Sequence, residues 1–230
     1  MTVTTVHLWG TGSASAGLSL TAKTTLHLLG RRRPEGLRFA RVMGTARATS
    51  FSSRDADLGH WALVAAWESL EAADAFDRGA LVGAWDARSR ERLRVRMRAI
   101  RSVGLWGGRE PFGPAVAEAE EGQRVAVITR ARIRASSVPR FTGTVPPIAA
   151  ELLRARSRGL GLAFGMGELP AGLLGTFTLW ESEPALRAFI SGAPSHRAAM
   201  ADSRAGGWFA EELFARFAVD AVEGWSATTA

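Results

Sequence analysis

Apolar and polar positions follow two rhythms along this chain, and each rhythm marks an element. Val3–Trp9 is a β-branched and aromatic run that gives way to the turn-rich stretch 10–17; it predicts a strand. Leu20–Leu29 has helical spacing, and Arg38–Thr45 and Trp61–Trp67 read as the second and third strands. The helical pattern over Glu71–Ser89 is interrupted by Gly79 and Gly83, which predicts a broken helix. Leu93–Val103 alternates: Arg92, Arg94, Arg96 and Arg98 interleave with Leu93, Val95, Met97 and Ala99. Period two on that scale predicts a half-buried strand.

A stretch rich in glycine, proline and glutamate around 107–123 separates this half from a second. We place the N-terminal half at 1–110, the linker at 111–122 and the C-terminal half at 123–230. In the second half, Arg124–Arg134 reads as a strand, and Pro147–Ser157 as a helix that opens on proline and ends before Gly159. Leu160–Gly167 and Leu174–Trp180 read as strands around a turn at Pro170. Pro184–Ile190 carries Leu186, Phe189 and Ile190 at i, i+3 and i+4, an amphipathic helix. Pro194–Ser203 and Trp208–Leu213 read as further helical pieces, and Phe214–Val222 as the last strand.

The two halves echo each other. Trp67-Glu68-Ser69 returns as Trp180-Glu181-Ser182, Ala75-Phe76 as Ala188-Phe189, and Gly79 as Gly192, all at an offset of 113 in a chain of 230. An offset of half the length points to a duplicated unit. Each half reads β-α-β-β-α-β, the ferredoxin-like order. The fold class expected is therefore α+β: tandem ferredoxin-like repeats whose two sheets pack against each other as a barrel, with a pocket between each sheet and its helices.

Composition narrows the chemistry. The chain has no Cys and no Tyr, which removes disulfides, thiolate catalysis, iron–sulfur clusters and cysteine-ligated haem. The net charge is +7, with Lys23 the single lysine among 29 basic residues. Such Arg excess raises nucleic acid as a partner, but most of it resolves into alternating strand positions, and no nucleic acid is expected. There is no charged segment ahead of an apolar run and no long uninterrupted apolar stretch, so a cytoplasmic protein is expected, with peripheral membrane contact left open. Phosphate-loop, dinucleotide-binding, zinc-protease and nucleophile-elbow motifs are absent from the sequence.

Four histidines remain. His7 lies in a strand and His27 in a helix, and both read as structural; His60 reads as a strand-edge residue. His196 differs, because it follows Pro194-Ser195 in a helix inserted where the first half has Gly83. Met200 lies one turn further on, beside Ala198 and Ala199, and a small apolar surround suits a flat cofactor. The Arg stripes read either as solvated strand faces or, at Arg130 or Arg132, as anchors for ligand carboxylates such as haem propionates.

Three further segments resemble the spheroidene monooxygenase-like family. They are residues 206–217 (Gly206-Gly207-Trp208-Phe209-Ala210-Glu211-Glu212 through Phe217) with Glu223-Gly224-Trp225; Thr129-Arg130-Ala131 with Gly165, Gly167, Glu168 and Pro170; and Trp106-Gly107-Gly108-Arg109-Glu110-Pro111-Phe112. The resemblance runs from about residue 20 to the C-terminus. It implies a haem-dependent oxygenase acting on acyclic carotenoids and a dimeric α/β-barrel-type fold. It also implies that His196, twelve residues before Trp208-Phe209, is the proximal iron ligand.

The chain departs from the family at 45–50 and at Leu174-Gly175, which opens the substrate to another hydrophobic metabolite. The expectation is haem b with His196 on its iron and Met200 beside it, Phe164, Met166 and Phe177 as apolar wall, and Arg130 or Arg132 on the propionates. Oxygen or peroxide would be the oxidant, and a homodimer the assembly. The alternatives are a haem enzyme of other chemistry (dehydration or nitrogen-group transformation), a cofactor-free oxygenase of the antibiotic-biosynthesis type, and a non-catalytic small-molecule binder.

Overall fold

A computed structural model describes residues 2–30, 33–47, 56–115, 118–168 and 173–224. The segment 48–55, Pro170 and Trp225 lie outside the described residues. The N-terminal half runs β1 (Val3–Thr11), α1 (Ala14–Leu29), β2 (Leu37–Arg47), β3 (Ala56–Trp67), α2 (Leu70–Asp77), α3 (Ala80–Asp86) and β4 (Ser89–Gly104). The C-terminal half runs β5 (Val125–Ile133), α4 (Val138–Arg154), β6 (Leu160–Glu168), β7 (Leu173–Trp180), α5 (Glu183–Gly192), α6 (Pro194–Gly206) and β8 (Phe209–Glu223).

The repeated tripeptide has a local cause. Trp67 and Trp180 end β3 and β7, and Ser69 and Ser182 are the N-caps of α2 and α5. Both serines are extended, and their hydroxyls accept from the N–H groups of Ala72 and Ala185. That satisfies one of the donors a helix start leaves unpaired.

The strands form one closed barrel in the order β1-β3-β2-β6-β7-β5-β8-β4. Two facing sheets were expected. Instead their edges join: β2 pairs with β6 over Gly44–Arg47, and β4 pairs with β8 along most of both strands. Closure gives every strand a neighbour on both sides, although the β2–β6 seam is only four residue pairs long. The interior is filled by Leu8, Phe39, Met43, Met97, Phe164, Phe177 and Phe217 among others, all buried. Alternating arginines of β4 lie outside and meet carboxylates: Arg92 with Asp86, Arg94 with Asp74 and Asp77, Arg98 with Asp220.

Two further elements differ from the sequence reading. Trp208–Leu213 is not helical; β8 starts at Phe209, and Leu213, Ala215 and Phe217 keep strand alternation into the barrel. Helix α4 begins at Val138, with Pro139 in its first turn and Pro146 and Pro147 inside it. Both internal prolines face solvent, where carbonyls that lose a helical partner are reached by water. The Thr142 and Thr144 hydroxyls donate to the carbonyls of Val138, Pro139 and Phe141.

Candidate active site

Strand register aligns the two halves residue by residue. In the N-terminal half, Val3 faces Trp67, Thr5 faces Ala65, His7 faces Leu63 and Trp9 faces Trp61. In the C-terminal half, Val125 faces Trp180, Val127 faces Thr178, Thr129 faces Thr176 and Ala131 faces Leu174. These positions lie on the outer, helix-covered faces. One end is the same in both halves, a valine opposite a tryptophan. At the other end, His7/Leu63 and Trp9/Trp61 are matched by Thr129/Thr176 and Ala131/Leu174, which fill much less space. On the neighbouring strands Gly165 stands where β2 has Val42, as the pairings Gly165↔Thr176 and Val42↔Leu63 show.

The helix layers follow. In the N-terminal half α1 packs against β1, β2 and β3, and α2 and α3 also lie on strands. Trp85 donates to Thr24, and Gly17 sits on Trp61 so closely that a Cβ there would come within 1.9 Å of the indole nitrogen. In the C-terminal half α4 and α6 pack mainly on each other, and α5 is the helix that packs on β7. Only Ser203 of α6 is buried. Thr129, Ala131, Thr176 and Phe214 are half-buried, whereas His7, Trp9, Trp61 and Leu63 are buried. The C-terminal helix–sheet layer is thus lined by small residues and by the Thr129–Thr176 hydroxyl pair, 2.7 Å apart.

His196 lies near the N-terminus of α6. Its ring meets Phe189 of α5 at 5.7 Å, and Phe189 packs on Trp180 at 5.2 Å. Burial lowers the His196 pKa, against the opposing charge of Glu151, so the imidazole is neutral near pH 7. Its Nδ1 is buried and has no hydrogen-bond partner. Glu151 of α4 accepts from the backbone N–H groups of Ser195 and His196 at 2.8 and 3.1 Å. Burial pushes the Glu151 carboxyl up, but these hydrogen bonds outweigh it and hold the pKa below the ordinary carboxylate value. A cleft of about 150 Å³ opens beside these residues, lined by Glu151, Trp180, Phe189 and Pro194 among others.

The structure brings together only part of the predicted set. Met200 is one turn from His196 on α6 and half-buried. Phe164, Met166 and Phe177 are inside the barrel, so the sheet separates them from α6. Arg132 is exposed at the end of β5. Arg130 is on the interior face with Ala126 and Ile128, and its side chain is 4% exposed. It pairs with Glu211 and, at 3.5 Å, with Glu168. Its guanidinium therefore lies between two carboxylates on the barrel-interior face, away from the helix side.

Around Arg130 the segments that carried the family resemblance converge. Trp106 Nε1 donates to Glu168 at 2.6 Å, and Arg41 lies 3.4 Å from the same carboxylate. Gly107 and Gly108, both at positive φ, turn consecutive N–H groups onto Glu211 at 2.9 and 2.7 Å. Only glycine adopts two such residues in a row without strain. Burial pushes the Glu211 carboxyl up, but the Gly107 and Gly108 N–H groups and Arg130 together bring it below its usual value. Sequence reasoning singled out Arg130 but missed Glu168 and Glu211 as its partners, and Glu151 as the cap of α6. A buried carboxylate opposite a distant cation leaves no local spacing pattern.

Of the other three histidines, His27 is exposed on α1, and His7 and His60 are held by neighbours. His7 is buried, stacks on Trp9 at 4.9 Å, and meets Asp77 at 2.8 Å. Burial, with Arg94 nearby, lowers its pKa to about 3. His60 lies within β3 and bridges Asp57 and Glu91.

An eight-stranded antiparallel barrel with one tight and one open helix layer defines the class. It is similar in fold to a crystal structure of an aldoxime dehydratase in complex with butyraldoxime, with a TM-score of 0.56 at 12% identity over 98% of this chain and 80% of that one. A second aldoxime dehydratase structure gives 0.55 at 14%, over 95% and 81%. No protein-family model matches the chain. Against curated proteins it is 34% identical to the spheroidene monooxygenase of Rubrivivax gelatinosus over 94% of this chain and 78% of that protein. It is 30% identical to that of Rhodobacter capsulatus over 82% and 78%. The chain belongs to the spheroidene monooxygenase family. Among the described residues no helix is long and apolar enough to cross a membrane.

Proposed function

We propose that this chain is a haem-dependent monooxygenase that inserts oxygen into a hydrophobic small molecule, carotenoid-like or a related metabolite. Haem b would lie in the C-terminal helix–sheet layer with His196 as its iron ligand. The observation that carries the reading is the contrast between the halves. The layer filled by Trp9, Trp61 and His7 on one side is lined by Ala131, Leu174 and Thr129 on the other, and His196 stands on α6, with its ring against Phe189 at the Trp180 end of that layer.

The residues present fit the group. A neutral imidazole offers a lone pair, and its buried Nδ1 has no hydrogen-bond partner among the described residues. Met200 and Phe189 give apolar contact for a flat ring. Of the two arginines considered for propionates, Arg132 is the exposed one, at the end of β5 and on the strand face it shares with Arg130 rather than with Thr129 and Ala131. Haem held there would supply activation of dioxygen or peroxide. The chain's own residues position that group and exclude water: Phe214 and Leu174 present apolar surface, Gly165 and Ala131 leave room, and Thr129 and Thr176 place two hydroxyls on the sheet side.

We also propose that residues 1–110 and 123–230 are copies of one ferredoxin-like unit joined by 111–122. The same element order, and the strand orders β4-β1-β3-β2 and β8-β5-β7-β6, support it. The activity is tested by incubating haem-loaded protein with an acyclic carotenoid, a reductant and ¹⁸O₂. Label in the product, absent without haem, is expected. Turnover by haem-free protein would favour the cofactor-free reading instead.

A further inference from the structure

We infer that Glu151 is the positioning residue for His196: a carboxylate on α4 that sets where the His-bearing helix begins. The inference rests on His196 being the iron ligand.

Helix α6 starts without a cap of its own. Its N-cap is Ala193, which has no side-chain acceptor, and its first residue, Pro194, has no N–H. The Arg197 N–H already bonds to the Ala193 carbonyl at 3.1 Å. Two donors of the first turn remain, Ser195 and His196, and Glu151 takes both, one on each carboxylate oxygen. An N-terminal helix turn also favours a negative charge. The carboxylate is 8% exposed and comes from 44 and 45 residues away in the chain, so this is a built tertiary contact.

Besides Glu151, this end of α6 is held by the buried Ala193 and by the ring contact of His196 with Phe189. The helix packs on α4 and α5 more than on the sheet, and its one buried residue, Ser203, is near the far end. One of the two bonded N–H groups belongs to His196 itself, so Glu151 fixes the backbone from which the imidazole projects. Loss of the clamp would therefore move the ligand without touching it. Partners that orient a metal-bound histidine act in this indirect way.

The test compares wild type, Glu151→Gln, Glu151→Asp and His196→Ala, with haem as the probe. Gln has nearly the same size but offers one acceptor oxygen, and its amide would set N–H against N–H. In the haem-free proteins, the Ser195 and His196 amide resonances are expected to shift in Glu151→Gln, with the rest of the spectrum retained. With haem added, Glu151→Gln is expected to bind on the order of 10–100-fold more weakly and to lose the uniform histidine-ligated absorption spectrum. Glu151→Asp, which keeps both oxygens, should restore part of each.

Wild-type affinity and an unchanged spectrum in Glu151→Gln, alongside loss in His196→Ala, would overturn the role of Glu151 and leave the reading of His196 standing. Haem binding that His196→Ala leaves unchanged would overturn both. If Glu151→Gln fails to fold, Glu151→Asp decides by the same two readouts.

Discussion

Replacing Arg130 by alanine separates a structural ion cluster from a ligand anchor. In wild type the Arg130 side chain is 4% exposed and lies between Glu211, 9% exposed, and Glu168, 12% exposed. Removing it leaves two buried carboxylates short of a cation, and breaking a buried pair in this way costs about 3–5 kcal/mol. Some compensation survives: Glu211 keeps the Gly107 and Gly108 N–H groups, and Glu168 keeps Trp106 Nε1 and Arg41. The lower end of the range, about 3 kcal/mol, is therefore expected. For a chain of this size that corresponds to a fall in Tm of about 6–12 °C. The assay is thermal unfolding by circular dichroism, with haem affinity measured in parallel below the transition. Haem affinity should be nearly unchanged. Adding Glu211→Gln and Glu168→Gln to Arg130→Met should recover part of the lost stability, because no uncompensated charge then remains. A wild-type Tm with sharply weakened haem binding would refute the reasoning and return Arg130 to the ligand.

The remaining predictions probe the layer, the acid limb and the close-packed half. Ala131→Trp copies Trp9 into the C-terminal layer; the fold should survive and haem uptake should fall by an order of magnitude or more, measured by titration, and unchanged uptake would contradict the proposed location. Glu151 and Glu211 have folded-state pKa values lowered below the ordinary carboxylate value. Their stabilisation is therefore complete above about pH 4.3 and is lost as pH falls through the lowered values; Glu211→Gln should flatten this acid limb in a series of melts. Gly17→Ala would force a methyl against Trp61 and should cost about 1–3 kcal/mol in denaturant unfolding, whereas Gly143→Ala, where a Cβ meets nothing within 4 Å, should not destabilise.

What the sequence made legible was local or periodic. The Trp-Glu-Ser repeat works because a strand end and a serine cap are encoded within three residues, and the Arg92–Arg98 alternation because strand faces repeat every second residue. A barrel was expected from the duplication, but the pairings that close it were not legible, since β2–β6 and β4–β8 join segments about 120 residues apart and leave no composition pattern. Trp208–Leu213 misled because Glu211 and Glu212 resemble a helix surface, while the partners of Glu211, namely Gly107, Gly108 and Arg130, lie far away in the chain. His196 was singled out by its place in an inserted helix, and the family resemblance supplied its expected role as iron ligand. Its surroundings were not legible, because alternation alone places Phe164 and Phe177 on one face without saying which face the helices cover.

The central claim is that His196 ligates haem iron in the C-terminal layer. The most direct measurement is the absorption and electron paramagnetic resonance spectrum of haem-loaded His196→Gly, before and after added imidazole. The account predicts loss of the histidine-ligated spectrum and its return with imidazole, which fills the space of the missing ring. A variant that keeps the wild-type spectrum without imidazole would contradict it.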